Sequence, residues 1–234
     1  AQLSNPDGDA LHISGKAGAR IGTPVFAPSL EVADYFEKAH YKLMASPRIF
    51  PGQHVSAGVS SPDANLYIAY YGEGDETCYV DVDNPDDPLN PSINVPKVPG
   101  PIFEVGLRLN KDVSLQLNHV GWQGNPEVTF ERPQHKGLMW KRAWVDAVDQ
   151  LVGWSEMFRL VQNEGLGMIS QGTREWTNYV VSADVTPHLV SRAGIAARVQ
   201  GLTRFYALMV TVDQKVQLVK SVHEENVLAE ADFN

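Results

Sequence analysis

The sequence is poor in cysteine, in positive charge, in long apolar runs and in helical periodicity, and each shortage removes a class of proteins. A single cysteine, Cys78, in 234 residues forms no internal disulfide and builds no thiolate metal centre by itself. No apolar run approaches the ~18 residues that a membrane-spanning helix needs. The first residues lack the charged and then apolar regions of a secretory leader, and the chain begins at Ala1. A leader already removed, or a piece of a longer polypeptide, is therefore expected, and the compartment stays open. With 19 basic against 28 acidic residues the net charge is −9, so a phosphate backbone meets a repulsive field. Nucleic acid is not an expected partner.

Catalytic signatures are also missing. The G-x-S-x-G elbow, the P-loop, H-E-x-x-H and G-x-G-x-x-G patterns do not occur. A sandwich glycosidase sets two carboxylates across a sugar, which along one strand face calls for acidic residues at i, i+2 or i, i+4. No E-x-D-x-E run is present, and Glu156, Glu164, Glu175 and Asp184 are scattered. The seven histidines, His12, His40, His54, His119, His135, His188 and His223, show no ligand spacing among themselves.

What is present is a composition 43% hydrophobic and 20% charged, that of a folded chain. Only residues 30–44, "LEVADYFEKAHYKLM", read as an amphipathic helix, of two to three turns between Pro28 and Pro47. Elsewhere short alternating runs are separated by Gly, Pro, Asn and Asp. The expected fold is all-β, with two consecutive antiparallel sandwiches over residues 1–133 and 134–234 and little helix. In "NLYIAYYG" both faces are apolar, which predicts a central strand. The proline-rich stretch between Val82 and Ile102 reads as a surface loop, with a short extended piece near Ile93 to Val95. "YVVSADVTP" alternates cleanly and predicts another strand.

Several runs, among them "SGKAGARIGTPVF", "VGWQGNPEVTFERP", "MWKRAWVDAVD" and "TREWTNYVVSADVTPHL" with "AGIAARVQGLTRFYAL", resemble the β region that follows the catalytic domain in certain bacterial ADP-ribosylglycohydrolase-family proteins. The resemblance covers nearly the whole chain. It implies a galactose-binding-like jelly roll closing at Trp122 to Pro126, then a concanavalin A- or laminin-G-like sandwich led by Trp176 to Tyr179. It further implies a non-catalytic accessory role beside an upstream catalytic domain of the same polypeptide. That parent domain would be the hydrolase. Residues after Pro133 offer about seven strands where such a sandwich uses about a dozen, so a truncated sheet, or one completed by another chain, is expected.

Five tryptophans, Trp122, Trp140, Trp144, Trp154 and Trp176, raise the carbohydrate question, because a sugar stacks its C–H face on an aromatic ring and turns its hydroxyls to polar neighbours. If "MWKRAW" is extended, Trp140, Arg142 and Trp144 share one face. In "GIAARVQGLTRFYALMV", if Ile195, Ala197 and Val199 face the core, Arg198 and Gln200 lie opposite and a hairpin brings them beside the returning strand. The candidate contacts for a glycan or a ribosylated small molecule are thus Trp140, Arg142, Trp144, Trp176, Arg198, Gln200, Arg204 and Tyr206. Asp81, Asp83, Asp86 and Asp87 in "DVDNPDDP" are oxygen ligands of the kind calcium takes, without the glycine and distal glutamate of an EF-hand loop. Three readings remain open: a binding module, a β-sandwich glycoside hydrolase and a structural spacer.

Overall fold

The structure, a computed structural model, describes residues 2–4, 10–26, 47–82, 84–134, 136–152, 157–173 and 175–232. Their regular structure is almost wholly β, with one four-residue helix. The helix predicted over residues 30–44 lies outside them. By chain contacts the protein divides into two compact units. One is Ala1–Asp146 with Leu151–Arg159 and Gln171–Thr173; the other is Ala147–Gln150 with Leu160–Ser170 and Arg174–Asn234.

The first unit is a two-sheet antiparallel sandwich. Its strands are β1 (Gln2–Ser4), β2 (Leu11–Gly15), β3 (Arg20–Pro24), β4 (His54–Val59), β5 (Ala64–Tyr71), β6 (Thr77–Val82), β7 (Ser92–Asn94), β8 (Ile102–Leu109) and β9 (Val113–Gln123). One sheet has the order β1-β2-β9-β4-β7 and the other β3-β8-β5-β6. Every link from β2 to β9 crosses between the sheets except the β5–β6 hairpin, which is the strand order of a jelly roll with β1 added at an edge. The core fills the gap between sheets, with Ile13, Val55, Ala57 and Leu115 from one and Leu66, Ile68, Val105 and Leu107 from the other. Strand β5 lies between β8 and β6, and its first six residues are all buried, as its two apolar faces predict. Residues 84–101 of the proline-rich connection are loop apart from β7. Each proline lacks the N–H that a ladder needs.

The outer face of the second sheet is polar but tightly tied. Tyr67 is opposite Gly106, and Gly106 is opposite Gly22. The bare position at Gly22 is taken by the Glu104 side chain, whose Cγ and Cδ would lie 2.5 Å from a Cβ there. The Tyr67 hydroxyl donates to Glu104 Oε1 at 2.5 Å. The Arg20 guanidinium lies 4.0 Å from the Tyr79 ring centre and 5.6 Å from that of Tyr67, and bonds Asp81 at 2.8 Å. Arg108 reaches the same carboxylate oxygen at 3.3 Å. Burial, and then the Glu104 carboxylate, push the Tyr67 phenol far above the ordinary tyrosine range.

The second unit carries a meander of β14 (Arg192–Ala197), β15 (Arg204–Thr211), β16 (Lys215–Val222) and β17 (Glu224–Asp232) in that order, all antiparallel. Between the jelly roll and the meander the chain forms α1 (Met139–Arg142), β10 (Val145–Ala147), β11 (Gln150–Val152), β12 (Arg159–Val161) and β13 (Met168–Ser170). The alternation in "YVVSADVTP" does not yield a strand. Residues 177–190 are irregular and exposed, Val180 and Leu189 more than 90% so. Alternation supplies a face, but a strand also needs a neighbour for its backbone, and this stretch has no ladder.

Two consequences are measurable. A Cβ on Gly106 would stand 2.1 Å from the Ile21 carbonyl oxygen and 2.5 Å from Gly22 Cα. Since backbone cannot yield as a side chain does, Gly106→Ala is expected to cost about 1–3 kcal/mol in urea unfolding. Tyr67 has its pKa raised on folding, so its contribution is whole below the unfolded value near 10 and is lost as pH climbs past it. The urea midpoint should therefore fall between about pH 9 and about pH 11, and fall less in Tyr67→Phe.

Candidate functional site

The strongest site lies in the first unit, where the chain leaves β9 and folds back on the sandwich loops. Residues 125–134 have no regular structure. They are held by the Glu127 N–H, which donates to the Pro51 carbonyl at 2.9 Å. The approach is close enough that a Cβ on Gly52, at φ +86°, would meet Glu127 N at 2.9 Å. Further on, Asp75 in the β5–β6 turn accepts the Leu138 N–H at 2.7 Å and the Met139 N–H at 2.9 Å. Gly137 N–H donates to the Glu73 carbonyl at 3.1 Å. These bonds satisfy donors that the start of α1 leaves open, and so fix where α1 begins.

Here "MWKRAW" is a helical turn, not a strand. Its N–H groups bond back to residues 138, 139 and 141 through Trp144. In an extended chain residues i, i+2 and i+4 align, whereas in a helical turn only i and i+4 do. Trp140 and Trp144 accordingly reach the wall of one cavity and Arg142 does not. That cavity holds about 360 Å³, within the usual range of ligand pockets. Five prolines, at positions 47, 51, 99, 101 and 133, line it together with the rings of Phe50, Phe130, Trp140, Trp144 and Phe158. The rings meet in a chain, edge to face from Phe50 to Phe130 at 6.5 Å, Phe130 to Trp144 at 5.1 Å and Trp144 to Phe158 at 5.2 Å, and tilted from Phe158 to Trp140 at 5.9 Å between centres. Such contacts stabilise the wall as well as offering it to a ligand. The charged and polar side chains around it are Lys97, Glu127, Thr129, Glu131 and Gln171.

Trp176 and the residues predicted beyond it sit in the second unit. Trp176 is partly buried, with its ring centre 6.2 Å from that of Tyr179. The Tyr179 hydroxyl accepts the Arg198 N–H at 2.8 Å. Arg198, at φ +53°, and Gln200 belong to the β14–β15 turn, closed by Gln200 N–H to the Arg204 carbonyl at 2.8 Å. Register also reverses the expected faces. Ile195 and Ala197 oppose exposed Leu208 and Tyr206, while Ala196 opposes buried Ala207. Arg204 and Tyr206 thus share an exposed and largely apolar face with Leu208 and Leu218, and Lys220 Nζ lies 5.9 Å from the Tyr206 ring.

Arg192 of β14 bonds Glu225 of β17 through two oxygens, at 2.5 and 2.7 Å, across two intervening strands. The sheet therefore coils around the face that carries this pair, which also holds Phe205, Ala207 and Val219. Of the aspartates, Asp81 is engaged by Arg20 and Arg108 and Asp87 by Asn90; Asp86 is exposed and Asp83 lies outside the described residues. Among the described residues no three His, Cys, Asp or Glu side chains form a group fit to hold a metal ion, and no helix is long and apolar enough to cross a membrane.

Sequence reasoning missed Glu127, Glu131, Phe158 and Gln171. "EVTFE" has the i, i+4 acidic spacing of a carboxylate pair, but that spacing aligns two side chains on one face of a strand, and residues 125–134 form none. Phe158 and Gln171 had no local signal. Comparison of the chain with family models, with curated proteins and with solved structures finds no match.

Asp75→Ala should release the start of α1. We expect about 1–2 kcal/mol lost, as for a partly exposed charge-assisted bond pair, and a red-shifted tryptophan emission at urea concentrations where the wild-type protein is still folded.

Proposed function

We propose that the chain is a non-catalytic binding region whose first unit takes a glycan in the aromatic cavity. The supporting observation is the meeting of Trp140, Trp144, Phe130 and Phe158 at one 360 Å³ cavity with polar groups beside them. That is the combination of flat apolar surface and fixed hydrogen-bonding groups that a sugar ring uses. A spacer has no use for partly exposed tryptophans, and Trp122, Trp140, Trp144 and Trp176 are all partly exposed. Charge separates the glycan from a ribosylated ligand. The lining offers one cation, Lys97, against Glu127 and Glu131, and a diphosphate is disfavoured there. The accessory role beside an upstream ADP-ribosylglycohydrolase-type domain rests on the quoted sequence resemblance alone.

A second reading has its own observation. Glu127 and Glu131 line the same cavity, and two carboxylates flanking a sugar are what glycoside hydrolysis requires. Calorimetric titration with neutral oligosaccharides and with ADP-ribose tests the first reading. Binding of the oligosaccharide but not of ADP-ribose is expected, with Trp144→Ala weakening it at least about tenfold through loss of the stacking face. Binding of neither ligand sinks it. Turnover of aryl glycosides that disappears in Glu131→Gln favours the hydrolase.

A further inference from the structure

We infer that Gln171 selects the sugar within this cavity, admitting ligands that present a hydrogen-bond donor beside the aromatic wall and rejecting acidic ones. The inference rests on the glycan reading. Gln171 is partly buried and lines the cavity. Its Nε2 donates to the Ala143 carbonyl at 3.1 Å, directly after α1. A carbonyl accepts only from the NH₂ end, so this bond decides which way the amide points. The same bond occupies one of the two Nε2 hydrogens. Oε1 receives no hydrogen bond from the described residues. It is therefore a fixed acceptor available to a ligand.

The rest of the lining has the same bias. Glu127 and Glu131 accept, Lys97 donates, and Thr129 does either. Two carboxylates against one ammonium give the lining a net negative charge, which pairs with hydroxyls or an ammonium group and repels a ligand carboxylate. A site built around a hydrogen bond also discriminates against the analogue that lacks it, because its own polar group is then left unmatched. The class of ligand is thus a neutral or amino sugar with a free hydroxyl or amine at the Gln171 end, and a uronic acid is excluded.

The test uses the full chain and a set of methyl glycosides as probes: a hexose, its deoxy analogues, the matching hexosamine and the matching hexuronic acid, measured by ligand-observed NMR titration. The hexose or hexosamine should bind at least about tenfold more tightly than the uronic acid. Gln171→Leu should lose about tenfold for the hydroxylated sugar and nothing for one of the deoxy analogues. Gln171→Met, closer in shape, serves in case the leucine variant does not fold, and unchanged tryptophan emission certifies the wall in either. If both variants keep the wild-type preference while Trp144→Ala abolishes binding, Gln171 is not the selector and the glycan reading stands. If no probe binds the wild-type chain, both are overturned.

Discussion

The constraint on which the first unit depends is that each of its two sheets has one apolar face and neither face can stay in water. Burying Ile13, Val55, Leu66, Ile68, Val105 and Leu107 against one another provides the bulk of the driving force, at roughly 1.5–3 kcal/mol per large aliphatic side chain. It also fixes the ends of the strands. The β5–β6 turn and the β7–β8 link are anchored by strands that cannot slip, since a one-residue slip would turn a whole apolar row outward. Loops on such a frame hold side chains at defined places.

The cavity inherits its geometry from those anchored loops. Asp75 lies in a two-strand turn of the sandwich and receives two N–H groups of a segment more than sixty residues further on. Proline walls at positions 47, 51, 99, 101 and 133 have φ fixed before folding, which reduces the entropy lost on ordering the lining. A helical turn then turns two tryptophans the same way. None of these devices is needed for the sandwich core itself, which is why they are informative about a site.

In the second unit the four-stranded meander treats its faces differently. Phe205, Ala207 and Val219 are buried, whereas Tyr206, Leu208 and Leu218 are about 40% exposed. The row imagined from Arg198, Gln200, Arg204 and Tyr206 divides between a turn and a strand, because Arg198 has left the β region after Ala197. Charged residues at the ends of these strands serve the sheet itself: Arg192 holds Glu225, and Lys215 holds Glu230.

The all-β character, the central place of β5, the loop nature of the proline-rich connection and the aromatic density between Met139 and Trp176 are legible in the amino-acid order alone. All of these depend on side-chain period, on proline chemistry or on composition, which are local. Whether Trp140, Arg142 and Trp144 align was undecidable locally, because the same six residues suit a strand or a helical turn, and the Asp75 carboxylate settles it from sixty-odd residues away. Glu131, Phe158 and Gln171 become neighbours only after the chain has folded back. The alternation in "YVVSADVTP" failed for the converse reason: a pattern specifies a face, but only tertiary structure provides the adjacent strand that makes it one.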